Sequence, residues 1–372
     1  MKKRFALGLL GAVAAVAVTV TGFAGGAAAQ DKKPVNIYIW NDYLGETTLA
    51  DFTKATGYPT NVDLYDSLEL LEQKVLVGKS GYDVVVPTIE PTGSRMIQAK
   101  VLAPLDKAKI PNLKNVDPAV LKLMEISDPG NKFLIPYLGG TVGIGIVPEK
   151  IKAIMPDAPL DSWDLLFKPE VAKKLSTCGI TIMDSPTDVL PSILHYLGLD
   201  PNSEKKEDYE KAEKALMAIR PYVKQFVTGQ NINNLAGADA CVVMAYSGDV
   251  LQAQSRAEEA GKGVKVEYVI PKEGAQVWWD TMGIPADAPN KDGAHALLNF
   301  VLDPANMTGI TAKVQYGNAV PATLATLDDA VKTNPAVFPT EAQKAKLFSI
   351  KSVKSSTERL RTRLWTKIKT GK

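Results

Sequence analysis

Aromatic residues and a carboxylate stand side by side in the stretch QVWWDTMGIP (276–285), where two of the five Trp of the chain directly precede an Asp. Residues two positions apart on a strand point to the same face. Trp278 and Asp280 are therefore predicted to share one face, while Trp279 packs in the core on the other. An indole face attracts an ammonium group and a carboxylate pairs with it, so this stretch is predicted to hold an amine.

Similar pairs of aromatics and carboxylates fall at the ends of other predicted strands. They are Trp40-Asn41-Asp42-Tyr43, Asp188, Tyr246 with Asp249, and Tyr316 in the turn-like stretch VQYGNA. Open α/β sheets bind ligands at the carboxyl ends of their strands. Asp is also a preferred helix N-cap, and Asp42, Asp188 and Asp249 taken singly are explained as caps. The functional interpretation depends on the whole set.

A flexible cation with an apolar middle fits such a lining. Aromatic faces cover methylenes and contribute about 0.5–2 kcal/mol for each cation–π contact. A buried ammonium needs a carboxylate, because an unpaired charge in a closed cleft is very costly. Carboxylates at both ends of an aromatic box therefore favour a linear polyamine. A receptor for anions would instead present Arg and free helix N-termini at these junctions.

The composition argues against catalysis, metals and cofactors. The chain has only two His and lacks HExxH, CxxC and GxSxG motifs, which removes most His-based chemistry and most zinc sites. The Gly-rich stretch 139–145 lacks the strand–turn–helix context of a dinucleotide site and is predicted to be a hinge strand. The basic C-terminus has apolar residues at helical spacing, which predicts a packed amphipathic helix and no nucleic-acid site. We expect no metal and no cofactor.

Residues 1–29 have the features of a secretory signal peptide. Basic residues at positions 2–4 precede an apolar run, and Ala27 and Ala29 form an A-x-A cleavage pattern. An uncleaved membrane anchor is the alternative. Without this segment the chain carries 40 Lys and Arg against 41 Asp and Glu, a balance that suggests neither nucleic acid nor an anionic membrane as partner. Cys178 and Cys241 in an exported protein favour a disulfide, with two buried free thiols as the alternative.

Strands alternate with helices along the chain, which predicts βαβ units and a mostly parallel sheet. Strands are predicted over 35–40, 61–65, 82–87, 178–183 and 241–246, and helices over 44–56 and 68–77, the second capped by Asp66. The size of the chain after residue 29 predicts two domains. Two extended segments rich in Pro and Gly, 133–148 and 264–274, are predicted to cross between them. Lobe 1 would comprise 30–139 plus 271–325, and lobe 2 would comprise 140–270 plus 326–372.

The sequence resembles the periplasmic polyamine-binding proteins of bacterial ABC transporters, and most closely their putrescine-binding branch. The resemblance covers the chain after residue 29 and is carried by IWNDY, GYDVVVP, PLDKAKIP, DSWDLLFKPE, GDVLQA, IPKEGA and RTRLWTKIKTGK. It implies an α/β, type II periplasmic-binding-protein fold with mixed sheets flanked by helices and a ligand cleft between two lobes. It also implies a monomer that docks transiently on an inner-membrane ABC permease, and a Cys178–Cys241 disulfide.

The resemblance also implies which residues bind the ligand. They are Trp40, Asn41, Asp42, Tyr43, Thr88, Asp188, Tyr246, Asp249, Trp278, Asp280 and Tyr316. Asp249 and Asp280 would hold one ammonium group, with Asp42 and Asp188 nearer other parts of the cleft, and the aromatic rings would enclose the methylene chain.

Four residues depart from the pattern of the putrescine branch and leave the length of the ligand open. Asp188 stands where Glu is usual, Tyr246 replaces Trp, and Trp278 replaces Phe. Glu90 adds a carboxylate near Thr88, where it would pair with the extra amine of spermidine or face solvent. Putrescine is favoured and spermidine is the alternative. A polyamine sensor without a transport role and a secreted amine-acting enzyme are the competing functions.

Overall fold

The computed structural model describes residues 32–371. The predicted signal peptide, residues 1–29, lies outside this range. None of the helices in the described range is long and apolar enough to cross a membrane.

The strands of residues 32–371 join into one mixed sheet in which β2-β1-β3-β9-β4-β7-β5-β6 lie side by side, with β8 and β10 along β4 and β11 along β9. The strands are β1 (Val35–Trp40), β2 (Thr60–Tyr65), β3 (Val84–Val85), β4 (Leu134–Ile146), β5 (Ile180–Ile182), β6 (Gln225–Phe226), β7 (Val242–Tyr246), β8 (Glu267–Val269), β9 (Ala275–Gly283), β10 (Gly317–Asn318) and β11 (Leu347–Phe348).

Helices flank this sheet. In the described range they are α1 (Thr48–Thr56), α2 (Leu68–Leu76), α3 (Ser94–Gln98), α4 (Pro118–Met124), α5 (Pro148–Ile154), α6 (Asp164–Phe167), α7 (Pro169–Leu175), α8 (Pro186–Tyr196), α9 (Lys206–Ile219), α10 (Asn231–Ala236), α11 (Ser247–Glu259), α12 (Lys291–Val301), α13 (Pro304–Val314), α14 (Asp329–Lys332), α15 (Glu341–Lys344) and α16 (Ser355–Thr370). A π turn covers Ile89–Gly93, and short 3-10 turns cover Lys107–Lys109, Pro111–Asn115, Ser176–Cys178, Arg220–Tyr222 and Pro321–Ala325.

Two parallel groups of strands meet at an antiparallel centre. β1 pairs in parallel with β2 and β3, and β5 pairs in parallel with β6 and β7. Between these groups, β9 runs antiparallel to β3 and β4, and β4 runs antiparallel to β7. The α/β fold with a mixed sheet, which the resemblance implies, is confirmed. The mostly parallel sheet expected from the alternation is wrong, because the central pairings of β9 and β4 are antiparallel. Parallel strands that are each followed by a helix bring their carboxyl ends to one edge, and this arrangement positions the site described below.

Several local predictions differ from the structure. Of the strand predicted over 82–87 only Val84–Val85 is formed, and the strand predicted over 178–183 covers Ile180–Ile182. The first helix begins at Thr48 and not at residue 44. The cap of α2 is Ser67, whose side chain accepts a hydrogen bond from the backbone of Leu70, and not Asp66. Residues 264–274 contain only the short strand β8, and the strand that runs beside β4 over most of its length is β9. Residues 271–274 form a turn in which the N–H of Gly274 donates to the carbonyl of Pro271, and the long strand starts directly after this turn.

The predicted disulfide between Cys178 and Cys241 is present, with 5.5 Å between the two Cα atoms. Cys241 directly precedes β7, and Cys178 lies in the 3-10 turn before β5, so the bond joins the entries of two neighbouring parallel strands. The C-terminal helix α16 buries Leu364, Trp365 and Ile368, which confirms the predicted amphipathic helix. The division of the chain into two lobes stays a prediction.

Candidate functional site

One cavity of the described chain is lined by all eleven predicted ligand residues. Its empty space, including the open mouth, is about 660 Å³. Further lining residues are Tyr65, Asp66, Leu68, Glu90, Thr187, Thr228, Gly229, Ile232, Gln276 and Ile350. The structure thus brings together residues that are more than 270 positions apart in the sequence.

The ends of parallel strands supply two walls of the cavity. Trp40 is the last residue of β1, and the loop that follows it carries Asn41, Asp42 and Tyr43. Tyr246 is the last residue of β7, on the other side of the sheet centre. The floor between these walls is β9, from which alternate residues point into the cavity. The position of the site at strand ends therefore follows from the topology of the sheet.

On β9 the predicted alternation of side chains is confirmed. Trp278 and Asp280 line the cavity and are 8% and 3% exposed. Trp279 does not line the cavity, and it packs on the opposite face against Gly139, where a Cβ would lie 2.9 Å from the indole. Gln276 precedes Trp278 by two positions and also faces the cavity. Because the period of a strand is two, the sequence already places Gln276 on the same face as Trp278 and Asp280, but Gln276 was not among the predicted ligand residues.

The capping explanation for three of the aspartates is wrong. Asp188 and Asp249 are each the third residue of their helices, α8 and α11, whose N-cap positions are held by Ser185 and Tyr246. Asp42 lies in a loop with φ of 51°, well before α1, whose N-cap position is held by a threonine. These carboxylates are therefore not used to close helix ends.

Asp280 has a pKa far above the usual value of an Asp side chain. Its Oδ1 accepts a hydrogen bond of 2.5 Å from the hydroxyl of Thr88. Burial raises its pKa to about 7, although the hydroxyls of Thr88 and Tyr43 oppose the shift, and the nearby charge of Asp188 adds to it. Burial penalises the charged form of a carboxyl group. A cation bound beside Asp280 would therefore strongly stabilise its ionised form.

Asp249 has a similar environment. Its Oδ1 accepts a hydrogen bond of 2.7 Å from Tyr316 Oη. Burial raises its pKa to about 6, against the effect of this hydrogen bond. The ring of Tyr316 lies so close to Gly248 that a Cβ there would be 2.5 Å from it. Glycine at the second position of α11 is thus required for Tyr316 to reach Asp249.

Asp188 is fully surrounded by neutral donors. Its Oδ2 accepts hydrogen bonds from Ser185 Oγ at 2.6 Å and Tyr246 Oη at 2.8 Å. Its Oδ1 accepts one from Gln276 Nε2 at 2.8 Å. Burial raises its pKa, and the three donors oppose the shift.

No Lys, Arg or His nitrogen among the described residues lies within ion-pair distance of Asp188, Asp249 or Asp280. Two buried carboxylates, Asp188 and Asp280, and the half-buried Asp249 share one cavity, and without a nearby cation they are costly to ionise. A ligand that carries ammonium groups would remove this cost, because it would supply the missing charges.

Aromatic rings form a continuous lining between these carboxylates. Trp40 contacts Tyr246 edge-on with 6.2 Å between ring centroids, and Tyr246 contacts Trp278 at 5.5 Å. Trp278 contacts Tyr316 at 5.2 Å, and Tyr316 contacts Tyr43 at 5.4 Å. Edge-to-face packing leaves ring faces available to a ligand, and such faces suit both methylene groups and ammonium groups.

The mouth of the cavity differs from its interior. Asp42 is about half exposed and pairs with Arg256 on α11, with 3.2 Å between Oδ1 and the guanidinium. Asn41 is also exposed. Asp42 thus already has a cationic partner within ion-pair distance, unlike Asp188, Asp249 and Asp280.

Glu90 lies in the cavity wall, and its carboxylate is bound by neighbouring serine residues. Its oxygens accept hydrogen bonds from the hydroxyls of Ser94, Ser127 and Ser352. Neither expectation for Glu90, a free carboxylate for an extra amine or a solvent-facing one, describes this geometry.

Other lining residues gave little signal in the sequence. Thr228, Gly229 and Ile232 follow β6, a two-residue strand too short to show a pattern. Ile350 comes from the extended stretch before α16, a region with no motif.

The sequence family described as bacterial extracellular solute-binding protein matches residues 47–340. The chain belongs to this family. It is 46% identical to the putrescine-binding periplasmic protein SpuD of Pseudomonas aeruginosa (strain UCBPP-PA14) over 374 residues, covering 100% of each chain. It is 43% identical to the putrescine-binding periplasmic protein PotF of Escherichia coli (strain K12), covering 100% of this chain and 99% of that protein.

A solved structure agrees with this assignment. The spermidine/putrescine ABC transporter substrate-binding protein PotD from Streptococcus pneumoniae has a TM-score of 0.73 and 27% identity to this chain, covering 91% of it and 99% of PotD. The predicted family and the predicted periplasmic-binding-protein fold are confirmed.

Proposed function

We propose that the protein binds a linear polyamine in this cavity, with putrescine favoured over spermidine, and delivers it to an ABC permease. The observation that carries the proposal is a set of three carboxylates with raised pKa, the buried Asp188 and Asp280 and the half-buried Asp249, which lie among aromatic rings with no cation within ion-pair distance. The names of the relatives support it, since SpuD and PotF are both putrescine-binding periplasmic proteins.

In the proposed complex, Asp249 and Asp280 take one ammonium group and Asp188 faces the other end of the ligand. Trp278 covers the methylene chain from the floor of the cavity. Asp42, which pairs with Arg256 at the mouth, contributes long-range charge. A dication balances most of the negative charge that burial otherwise makes unfavourable.

The proposal includes the cellular setting. The protein is exported to the periplasm, its signal peptide is cleaved near Ala29, and it acts as a monomer without nucleic acid, cofactor or metal. The two predicted lobes close over the ligand, a hinge motion common among such receptors. We expect no chemical change in the bound amine. Incubation with putrescine that yields a new product would instead support an amine-acting enzyme.

Isothermal titration calorimetry of protein stripped of ligand by unfolding and refolding tests the proposal. We expect 1:1 binding of putrescine. Preference for spermidine would assign the longer ligand, and heat from neither amine would contradict the proposed function. Loss of polyamine uptake on deletion of the gene would favour transport over a sensor without a transport role.

A further inference from the structure

Glu90 makes an unusual set of hydrogen bonds for a residue in a cavity wall. Its Oε1 accepts one of 2.5 Å from Ser127 Oγ. Its Oε2 accepts three, from Ser94 Oγ at 3.0 Å, Ser352 Oγ at 2.9 Å and the backbone N–H of Ser352 at 3.0 Å. These contacts tie the carboxylate of Glu90 to Ser352, which is 262 positions away in the sequence, and to Ser94 and Ser127.

Ser352 belongs to an extended segment, residues 349–354, which connects β11 to α16 and is here named the C-terminal strap. The strap is also held from its other side. Asn202 donates to the carbonyl of Ser349 at 3.0 Å and accepts from the N–H of Lys351 at 2.7 Å. Glu204 accepts from the N–H of Lys354 at 2.8 Å.

Ile350 lies in the middle of the strap and forms part of the cavity wall, with 4% of its surface exposed. Its neighbours on the strap are the residues that Asn202 and Glu90 hold. The position of this apolar wall is therefore set by side chains on both sides of the strap. Segments held mainly by a few side-chain hydrogen bonds move at low free-energy cost.

We infer that Glu90 is a positioning residue that fixes the length of the cavity by holding the strap, so that Ile350 closes the cavity against polyamines longer than putrescine. The inference rests on the proposed function. An ammonium group placed against Ile350 would be buried without a partner, and this is strongly unfavourable. When the strap is released, Ile350 can withdraw and a longer amine gains room.

Two variants that release the strap from opposite sides test the inference. Glu90→Gln leaves a single acceptor oxygen, which cannot accept both from the backbone N–H of Ser352 and from the hydroxyl of Ser127, while Asn202→Ala leaves Glu90 untouched. Glu259→Gln, at the exposed end of α11, is the matched charge control. The measurements are calorimetric affinities for putrescine and spermidine, and hydrogen exchange of the strap amides in the ligand-free protein.

We expect faster strap exchange in both release variants and a shift of the affinity ratio toward spermidine of about tenfold or more, the scale typical of a pocket changed by a small apolar group. The control keeps the wild-type ratio. Faster exchange with an unchanged ratio in both variants would overturn the inference alone. A shift only in Glu90→Gln would also overturn it, because Glu90 would then contact the ligand directly. Wild-type protein that binds neither amine would refute the proposed function together with the inference.

Discussion

Polyamine affinity is predicted to rise steeply with pH, because the ligand binds to ionised carboxylates. Burial raises the pKa of Asp280 to about 7 and that of Asp249 to about 6 in the ligand-free protein. Below these values the carboxyl groups hold protons that the ammonium groups must displace. Primary ammonium groups of a polyamine resemble that of Lys and stay protonated below about pH 9. The pH dependence of the affinity therefore arises from the carboxyl groups of the protein alone.

The size of the effect follows from the two values. At pH 5, displacing the protons costs a factor of about 100 at Asp280 and about 10 at Asp249, whereas at pH 8 both factors are close to one. Affinity is therefore expected to be about 1,000-fold higher at pH 8 than at pH 5, equivalent to roughly 4 kcal/mol. Burial also raises the pKa of Asp188, which acts in the same direction.

Calorimetric titration with putrescine at pH 5, 6, 7 and 8, in two buffers of different ionisation enthalpy, measures both the affinity and the protons released on binding. Asp280→Asn serves as the internal control, because it removes the group of higher pKa. Its affinity is lower throughout, and its pH dependence should shrink to about tenfold. Wild-type affinity that changes less than threefold between pH 5 and pH 8, without proton release, would refute the reasoning.

Three further predictions concern the same residues and the disulfide. Asp280→Asn should stabilise the ligand-free protein at pH 8 by up to about 4 kcal/mol and much less at pH 5. A carboxyl group whose pKa is raised in the folded state destabilises the fold as pH rises from about 4 through 7. Chemical denaturation measures the free energy of unfolding, and equal values for the variant and the wild type at pH 8 would contradict this prediction. Trp278→Ala should weaken putrescine binding about 10–100-fold, whereas Trp279→Ala, on the opposite face of β9, should leave the calorimetric affinity within threefold. Replacing Cys178 and Cys241 by Ser should lower the free energy of unfolding by about 4 kcal/mol, because the bond closes a loop of 63 residues. The affinity for putrescine should not change. A loss of affinity would show that the disulfide also shapes the cavity.

Much of the site could be predicted because strand periodicity and strand ends are local properties. The alternation on β9 separates Trp278 from Trp279, and both the apolar run before Tyr246 and the polar junction after it are visible in the sequence. The carboxyl ends of neighbouring parallel strands then meet for topological reasons. These features need no knowledge of side-chain packing.

Other parts of the site could not be predicted, because they depend on contacts between distant segments. Glu90 and Ser352 are 262 positions apart, and nothing near either residue indicates that they meet. The role of Ile350 depends on where the strap crosses the cavity. The aspartates at helix starts were ambiguous for a different reason, since a cap and a third helical residue differ by only a few positions in sequence.

The central claim is that buried carboxylates hold the ammonium groups of a polyamine, and neutralising them tests it most directly. Calorimetric titration of ligand-stripped Asp249→Asn and Asp280→Asn with putrescine at pH 8 should show affinity losses of about 2–5 kcal/mol each. Asp157→Asn changes an exposed aspartate that does not line the cavity, and this variant should bind like the wild type. Wild-type affinity in both cavity variants would contradict the account.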